Sequence, residues 1–487
     1  LRGDNTFDLD VRLAAGTTLV GSDGALGPAE SAWAARVQGG TLAFDADGNI
    51  NLARPVTFDT SAMVVIDART NATATLDVTA GGKLVKRGAG TLTVPLTQNI
   101  VWDTSNLTGG QDYTEEVSFN ADGTATVTKA HPIMIVEGGL VIRSADGTPK
   151  TLTTRGNLII GEKCTTATTS PELTLDGVQL ITPLETTFGI GYCNGSEWNA
   201  NTLYPKLTLV NGASVKTHNF TLGNRCRSGA VPTLAMTNAT ITTTYALYLN
   251  GGANGSEKTV VRAKDSTLLI STSSGKLHYY GAADHDFDNC MIDTTPSGGF
   301  ELVFSYGYNS IYPSGEVRFR NGSVFRAKSV NMNGVYTTGD GLPFLRKPFT
   351  LVFDNATWDY GASDITITST VGAETNLFIR TTGGGIKLNT PSGTMFATDS
   401  KVIGDGGIAK TGAGTLKFGN GSYAFTGTCD IEEGTVNLSV AGMVTNAVFG
   451  GSGTVSGGTL RDTTIIATIA ENGTVAATPL FENCAFV

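Results

Sequence analysis

Two landmarks recur in phase along this chain, and such recurrence limits the available folds more than any other feature. The first is an apolar strand end closed by glycine. It appears as Leu158-Ile159-Ile160-Gly161, Phe188-Gly189-Ile190-Gly191 and Phe220-Thr221-Leu222-Gly223, and continues through Gly251, Gly281, Gly307, Gly334 and Gly361. Successive intervals are 30, 32, 28, 30, 26, 27 and 27 residues, a mean of about 29. That period falls within the range of stacked solenoid coils.

The second landmark is an apolar residue, a spacer, then Asn, Asp or Gly, with another apolar residue three positions on. Copies centre on Gly177, Asn238, Asp265, Asn289, Asn321, Asn355 and Asn483, and a copy at Asn211 carries one extra residue before Val215. The copy at Asn321 pairs Phe319 with Val324. Asn, Asp and Gly tolerate the left-handed backbone, so each copy predicts a sharp bend. The flanking apolar residues should point inward and stack on their counterparts one coil away, with Phe287, Phe319 and Phe353 forming one such column. A β-sandwich with regular turns would not hold two landmarks in phase for seven repeats. The predicted fold class is all-β: a right-handed single-stranded parallel β-helix, or β-solenoid.

Composition agrees. The 487 residues include 62 Gly and only 16% charged residues, which suits strands and tight turns. The net charge of −10, with no basic patch, argues against nucleic acid as a partner. No apolar run reaches the roughly 18 residues of a membrane span. The chain opens at Leu1 and reads as a piece of a larger protein.

The pattern changes towards both ends. Gly81-Gly82-Lys83-Leu84-Val85-Lys86-Arg87-Gly88-Ala89-Gly90-Thr91-Leu92 is matched by Gly406-Gly407-Ile408-Ala409-Lys410-Thr411-Gly412-Ala413-Gly414-Thr415-Leu416. The second copy runs on to Glu433-Gly434-Thr435-Val436-Asn437-Leu438. In the first copy some 40 residues separate Val94 from Glu137-Gly138-Gly139, which predicts an inserted hairpin around Asn120-Ala121-Asp122-Gly123. These motifs resemble the autotransporter-associated β-strand repeat. The resemblance implies a right-handed β-helix of bacterial, exported origin, many such proteins serving as adhesins or surface stalks. It covers 81–94 and 406–440 but not the central array. Three segments follow: 1–142 with the first repeat and the hairpin, 143–400 with the regular array, and 401–487 with the second repeat.

Some β-helices cleave polysaccharides, so the chain's carboxylates and histidines bear on its function. Glycoside hydrolysis needs two carboxylates across the scissile bond. Neither Asp-Asp nor Gly-His-Gly occurs, and the chain has four His. Asp284, Asp286 and Asp288 flank the inward Phe287 and should share an outward face, where they could hold calcium. A solvated turn accounts for them better. Cys164, Cys193 and Cys226 each follow a landmark glycine closely, so adjacent-coil spacing would let Cys193 bridge to Cys164 or Cys226.

Segments of variable length follow the landmark glycines, at 192–206, 224–232, 282–286, 308–316 and 335–348. In solenoids such segments gather on one side, often the binding side. Here they carry Tyr192, Trp198, Tyr204, Arg225, Arg227, His285, Tyr308 and Tyr312. Aromatic faces beside charged groups suit a surface glycan or a protein of a host or neighbouring cell. The expected function is a non-enzymatic bacterial cell-surface or secreted stalk, adhesin or matrix element. The alternatives are a carbohydrate-active enzyme or carbohydrate-binding module, and a structural protein that self-associates end to end or laterally.

Overall fold

The computed structural model describes residues 1–58, 63–77, 83–102, 117–119, 125–127, 133–154, 158–160, 170–182, 187–191, 204–223, 230–250, 258–272, 275–294, 299–304, 312–331, 347–359, 364–367, 376–466 and 480–486. Among these residues there is no helix, and every strand pairing but one is parallel. The protein is a parallel β-solenoid. It divides into two compact units, residues 1–244 with 251–260, and residues 245–250 with 261–487.

In the first unit the central rungs are stacked leucines. Leu92, Leu140, Leu173, Leu207 and Leu234 pair in sequence, as do Val94, Ile142, Leu175, Leu209 and Met236. All ten are buried. Beside them Thr182 Oγ1 donates to Thr217 Oγ1 at 2.8 Å, a buried polar pair satisfied between neighbouring coils. The predicted hairpin is present: Val117–Phe119 pairs antiparallel with Ala125–Val127. It leaves the stack intact, because Leu84 still pairs with Ile133 and Leu92 with Leu140.

The second unit replaces leucine rungs with aromatic ones. Phe287, Phe319 and Phe353 occupy one register, with ring centroids 5.5 and 5.1 Å apart. Trp358 is fully buried against Phe325, Phe353 and Phe396, and its Nε1 donates to the Ala327 carbonyl at 3.2 Å. From Ile365–Ile367 onward a further sheet runs through Met395–Thr398, Thr415–Phe418, Thr435–Asn437 and Thr454–Ser456.

The bends are where the second landmark placed them. Asn211, Asn238, Asp265, Asn289, Asn321, Asn355 and Asn483 have φ between 49° and 55°, and Gly177 has φ 64°. Each non-glycine in that region costs about 1–2 kcal/mol unless its short polar side chain compensates locally. Compensation is visible: Asn211 Nδ2 donates to Asp176 Oδ1 at 2.7 Å, Asn289 to Asp265 at 2.6 Å and Asn321 to Asp288 at 2.7 Å. Backbone amides follow suit, with Asn289 N donating to Arg320 O and Asn321 N to Asp354 O.

One rung differs from expectation. Phe325, not Val324, is the buried partner beyond Asn321 and sits opposite Ile292. The cause is Gly322, whose φ of 88° adds a second left-handed residue to that bend, as Gly212 does beside Asn211. The extra residue shifts the strand by one position and exchanges its faces. Cys164, Cys193 and Cys226 lie outside the described residues; Cys290 and Cys429 are buried free thiols.

Candidate functional site

The eight residues expected on one loop edge separate into three groups. Tyr192, Trp198, Arg225, Arg227 and Tyr308 lie outside the described residues. Tyr204 is half exposed and Tyr312 partly so. His285 is not on an edge at all. The segment 282–286 belongs to the strand Ala282–Asp288, whose strict alternation turns Ala283, His285 and Phe287 inward. His285 is therefore a core residue, and its ring meets Phe287 edge-on.

Tyr204 and Tyr312 share a position. Each precedes a proline that opens a strand: Tyr204-Pro205 before Lys206–Val210, and Tyr312-Pro313 before Ser314–Arg320. Pro171, Pro232 and Pro348 do the same for Glu172–Asp176, Thr233–Thr237 and Phe349–Asp354. A proline is tolerated where a strand begins because it has no amide to offer the ladder. Its carbonyl remains useful, and those of Pro171 and Pro205 accept the amides of Lys206 and Thr233. This proline spacing was readable in the sequence and marks strand starts more sharply than the glycines do.

Asp284, Asp286 and Asp288 do share the outward face. They are matched there by arginines: Arg262 Nη2 reaches Asp284 at 2.9 Å, and Arg320 reaches Asp286 at 2.9 Å and Asp288 at 3.2 Å. Their register partners Glu316, Arg318 and Arg320 extend the charged ladder, and Glu316 pairs with Arg318 and Arg380. This is an alternating ion-pair surface, in which each carboxylate already has a guanidinium neighbour. Among the described residues no group of three His, Cys, Asp or Glu is arranged to hold a metal ion.

The terminal motifs are built around buried cations. Lys86 Nζ donates to the carbonyls of Arg87 at 2.9 Å, Gly88 at 2.8 Å and Glu137 at 3.0 Å. Lys410 Nζ repeats the arrangement with Thr411 at 3.1 Å, Gly412, and Glu433 at 2.8 Å. Both side chains are fully buried. Burial pushes each amine down to about 8, while the charge of Glu137 opposes the shift at Lys86 and that of Glu433 opposes it at Lys410. Two carbonyls come from the lysine's own turn and the third from the next coil. The motif thus encodes a cage that fixes one coil against another. Gly138 and Gly434 are obligatory for it: a Cβ at either would clash with the carbonyls of Gly88 and Gly90, or of Gly412 and Gly414.

Arg54 uses the same chemistry. The strand Ile50–Phe58 alternates strictly, which turns Arg54 inward between Leu52 and Val56. Its guanidinium donates to Trp33 O at 2.6 Å, Leu9 O at 2.7 Å, and Phe7 O and Leu26 O at 3.1 Å. That alternation is legible in the sequence and is the signal that marks Arg54 as a core residue.

Among the described residues no helix is long and apolar enough to cross a membrane. No family model, curated protein or solved structure matches the chain.

Proposed function

We propose that this chain is a non-enzymatic, bacterial cell-surface or secreted solenoid that acts as a stalk, adhesin or matrix scaffold. The observation that supports this reading most is the paired lysine cage. In the motif resembling the autotransporter-associated repeat the lysine binds carbonyls, Gly138 and Gly434 admit them, and the Glu-Gly step supplies the third. The motif occurs twice and builds the same cage twice. Surface labelling of intact producing cells, with secreted material collected separately, tests the location. Recovery of the chain only from the cytosol would overturn it.

Ligand contact is assigned to the edge where strands begin. In the first unit Tyr204, and in the second Tyr312, stands just before a strand-opening proline, and an aromatic face there suits a glycan or an extended peptide. Calcium is not required for this contact. Glycan arrays probed with the protein and with Tyr204→Ala and Tyr312→Ala should show binding that falls at least fivefold in the variants, without change in melting temperature. New reducing ends or unsaturated products from bound glycans would favour the enzymatic alternative instead.

A further inference from the structure

Two of the four histidines stand at one place in the core of the second unit. His278 follows Leu277 in the strand Lys276–Tyr279, and His285 lies on the next strand, Ala282–Asp288. His278 is 4% exposed and packs in a three-ring cluster with Tyr248 at 4.6 Å and Tyr280 at 5.7 Å, and among the described residues its Nδ1 has no hydrogen-bond partner. His285 is 2% exposed and shares a hydrogen bond with Tyr279 Oη at 3.3 Å. Tyr279 links the two, adjacent to His278 in the chain and 5.5 Å from the His285 ring. It also packs on Phe304 and Phe349, so one ring joins three coils.

The charges around the pair are already committed. Lys276, on the strand of His278, pairs with Glu301 on the neighbouring strand at 3.3 Å. Arg262 and Asp284, flanking His285 from outside, pair with each other. On the far side of His285 the register partner is Val317, with Glu316 and Arg318 paired on the outer face. Tyr248, Tyr280 and Val303 line His278 from its own and adjoining coils. Among the described residues no carboxylate hydrogen-bonds His278 to receive a proton's charge.

We propose that His278, Tyr279 and His285 form an acid-operated release: the coil stays packed while both imidazoles are neutral and opens locally when they take up protons. Burial holds both rings down to about 3, with Lys276 adding to the effect at His278. The sign follows from linkage. Between pH 6.5 and 3 the opened segment binds more protons than the packed one, so packing weakens as pH falls through that window. At pH 4.5 opening is favoured about a hundredfold per histidine relative to pH above 6.5. Opening would bare Tyr248, Tyr279, Tyr280 and Phe304 together. An exported protein that meets acidified surroundings could thereby expose apolar surface at one coil and leave the others closed.

The test is backbone hydrogen exchange of the full chain between pH 7.5 and 4.5, corrected for intrinsic rates, with exchange at the histidine C2 positions measured in the same samples. Protection across 276–304 should fall at least a hundredfold, while 402–437 changes less than threefold. Both histidine C2 profiles should titrate well below 6. His278→Phe with His285→Phe should abolish the selective loss. Equal loss in the two segments, or a titration of both rings near 6.5 in the unaltered protein, would overturn the proposal whether or not the double variant folds.

Discussion

The caged coils and the laddered coils solve the same problem by different means. Near the cages Val64 pairs with Leu84, Leu416 with Val436 and Val436 with Val455, steps of 19 or 20 residues, while the coil that closes the Lys86 cage is long because it carries the hairpin, Leu84 pairing with Ile133. In the laddered regions Leu173 pairs with Leu207, Phe287 with Phe319 and Phe319 with Phe353, steps of 32 to 34. Strands remain short in both, three to seven residues at these positions. The added length lies between strands. The caged coils are held by a cation gripping carbonyls from two turns, whereas the laddered coils are held by side-chain columns and by bends paired across coils. Lengthening a connection therefore leaves the core untouched, which frees the connections for recognition.

The sharpest way to break this comparison is to remove a laddered column. Trp358→Ala should cost about 4–5 kcal/mol, because it deletes a fully buried indole and enlarges a small apolar void already lined by Trp358, Phe396 and Phe418. Urea unfolding read by tyrosine fluorescence measures it. A loss below about 2 kcal/mol would mean that the aromatic column is not what holds these coils.

Next in size is the cage. Lys410→Met keeps the buried volume but strands three carbonyls, and should cost about 3 kcal/mol, as should Lys86→Met. The same residues give a pH signature. Each folded amine sits near 8 and the unfolded one near 10.5, so the unfolded chain binds more protons between those values. Stability contributed by these groups rises with pH across that window, and each Met variant should flatten the rise. An unchanged pH profile in both variants would assign the cages no role in linkage.

The smallest effect belongs to a single bend. Asn289→Ala should cost about 1–2 kcal/mol, from a left-handed backbone without its side-chain bond to Asp265, while Asn289→Gly should cost less than about 1. Equal losses would show that the Asp265 contact outweighs the backbone term.

The bends and the inward phenylalanines were legible because each obeys a rule that acts on one residue at a time. A left-handed φ admits few side chains, and alternation decides which way Phe287 points. What escaped notice depends on more than one coil. One of the carbonyls that receive Lys86 belongs to a residue 51 positions further along the sequence, so the motif is visible there without its purpose. Glycine spacing predicts an edge position for His285, but it measures the distance between landmarks and not the length of a loop. The local alternation Ala283, His285, Phe287 was the better guide. The two-residue bend at Asn321-Gly322 exchanged Val324 for Phe325 for a similar reason: counting positions cannot distinguish one left-handed residue from two.

The hairpin in the first unit has an evolutionary consequence. Its flanks return to register, so that Lys86 still finds Glu137 and Leu92 still meets Leu140. Sequence added at that joint would leave the flanking rungs in place. Its entropic toll grows only slowly, about 0.6 kcal/mol for each doubling of loop length. A lineage carrying such a chain can try out excrescences one joint at a time, keeping those that find something to hold and losing the rest without harm to the shaft.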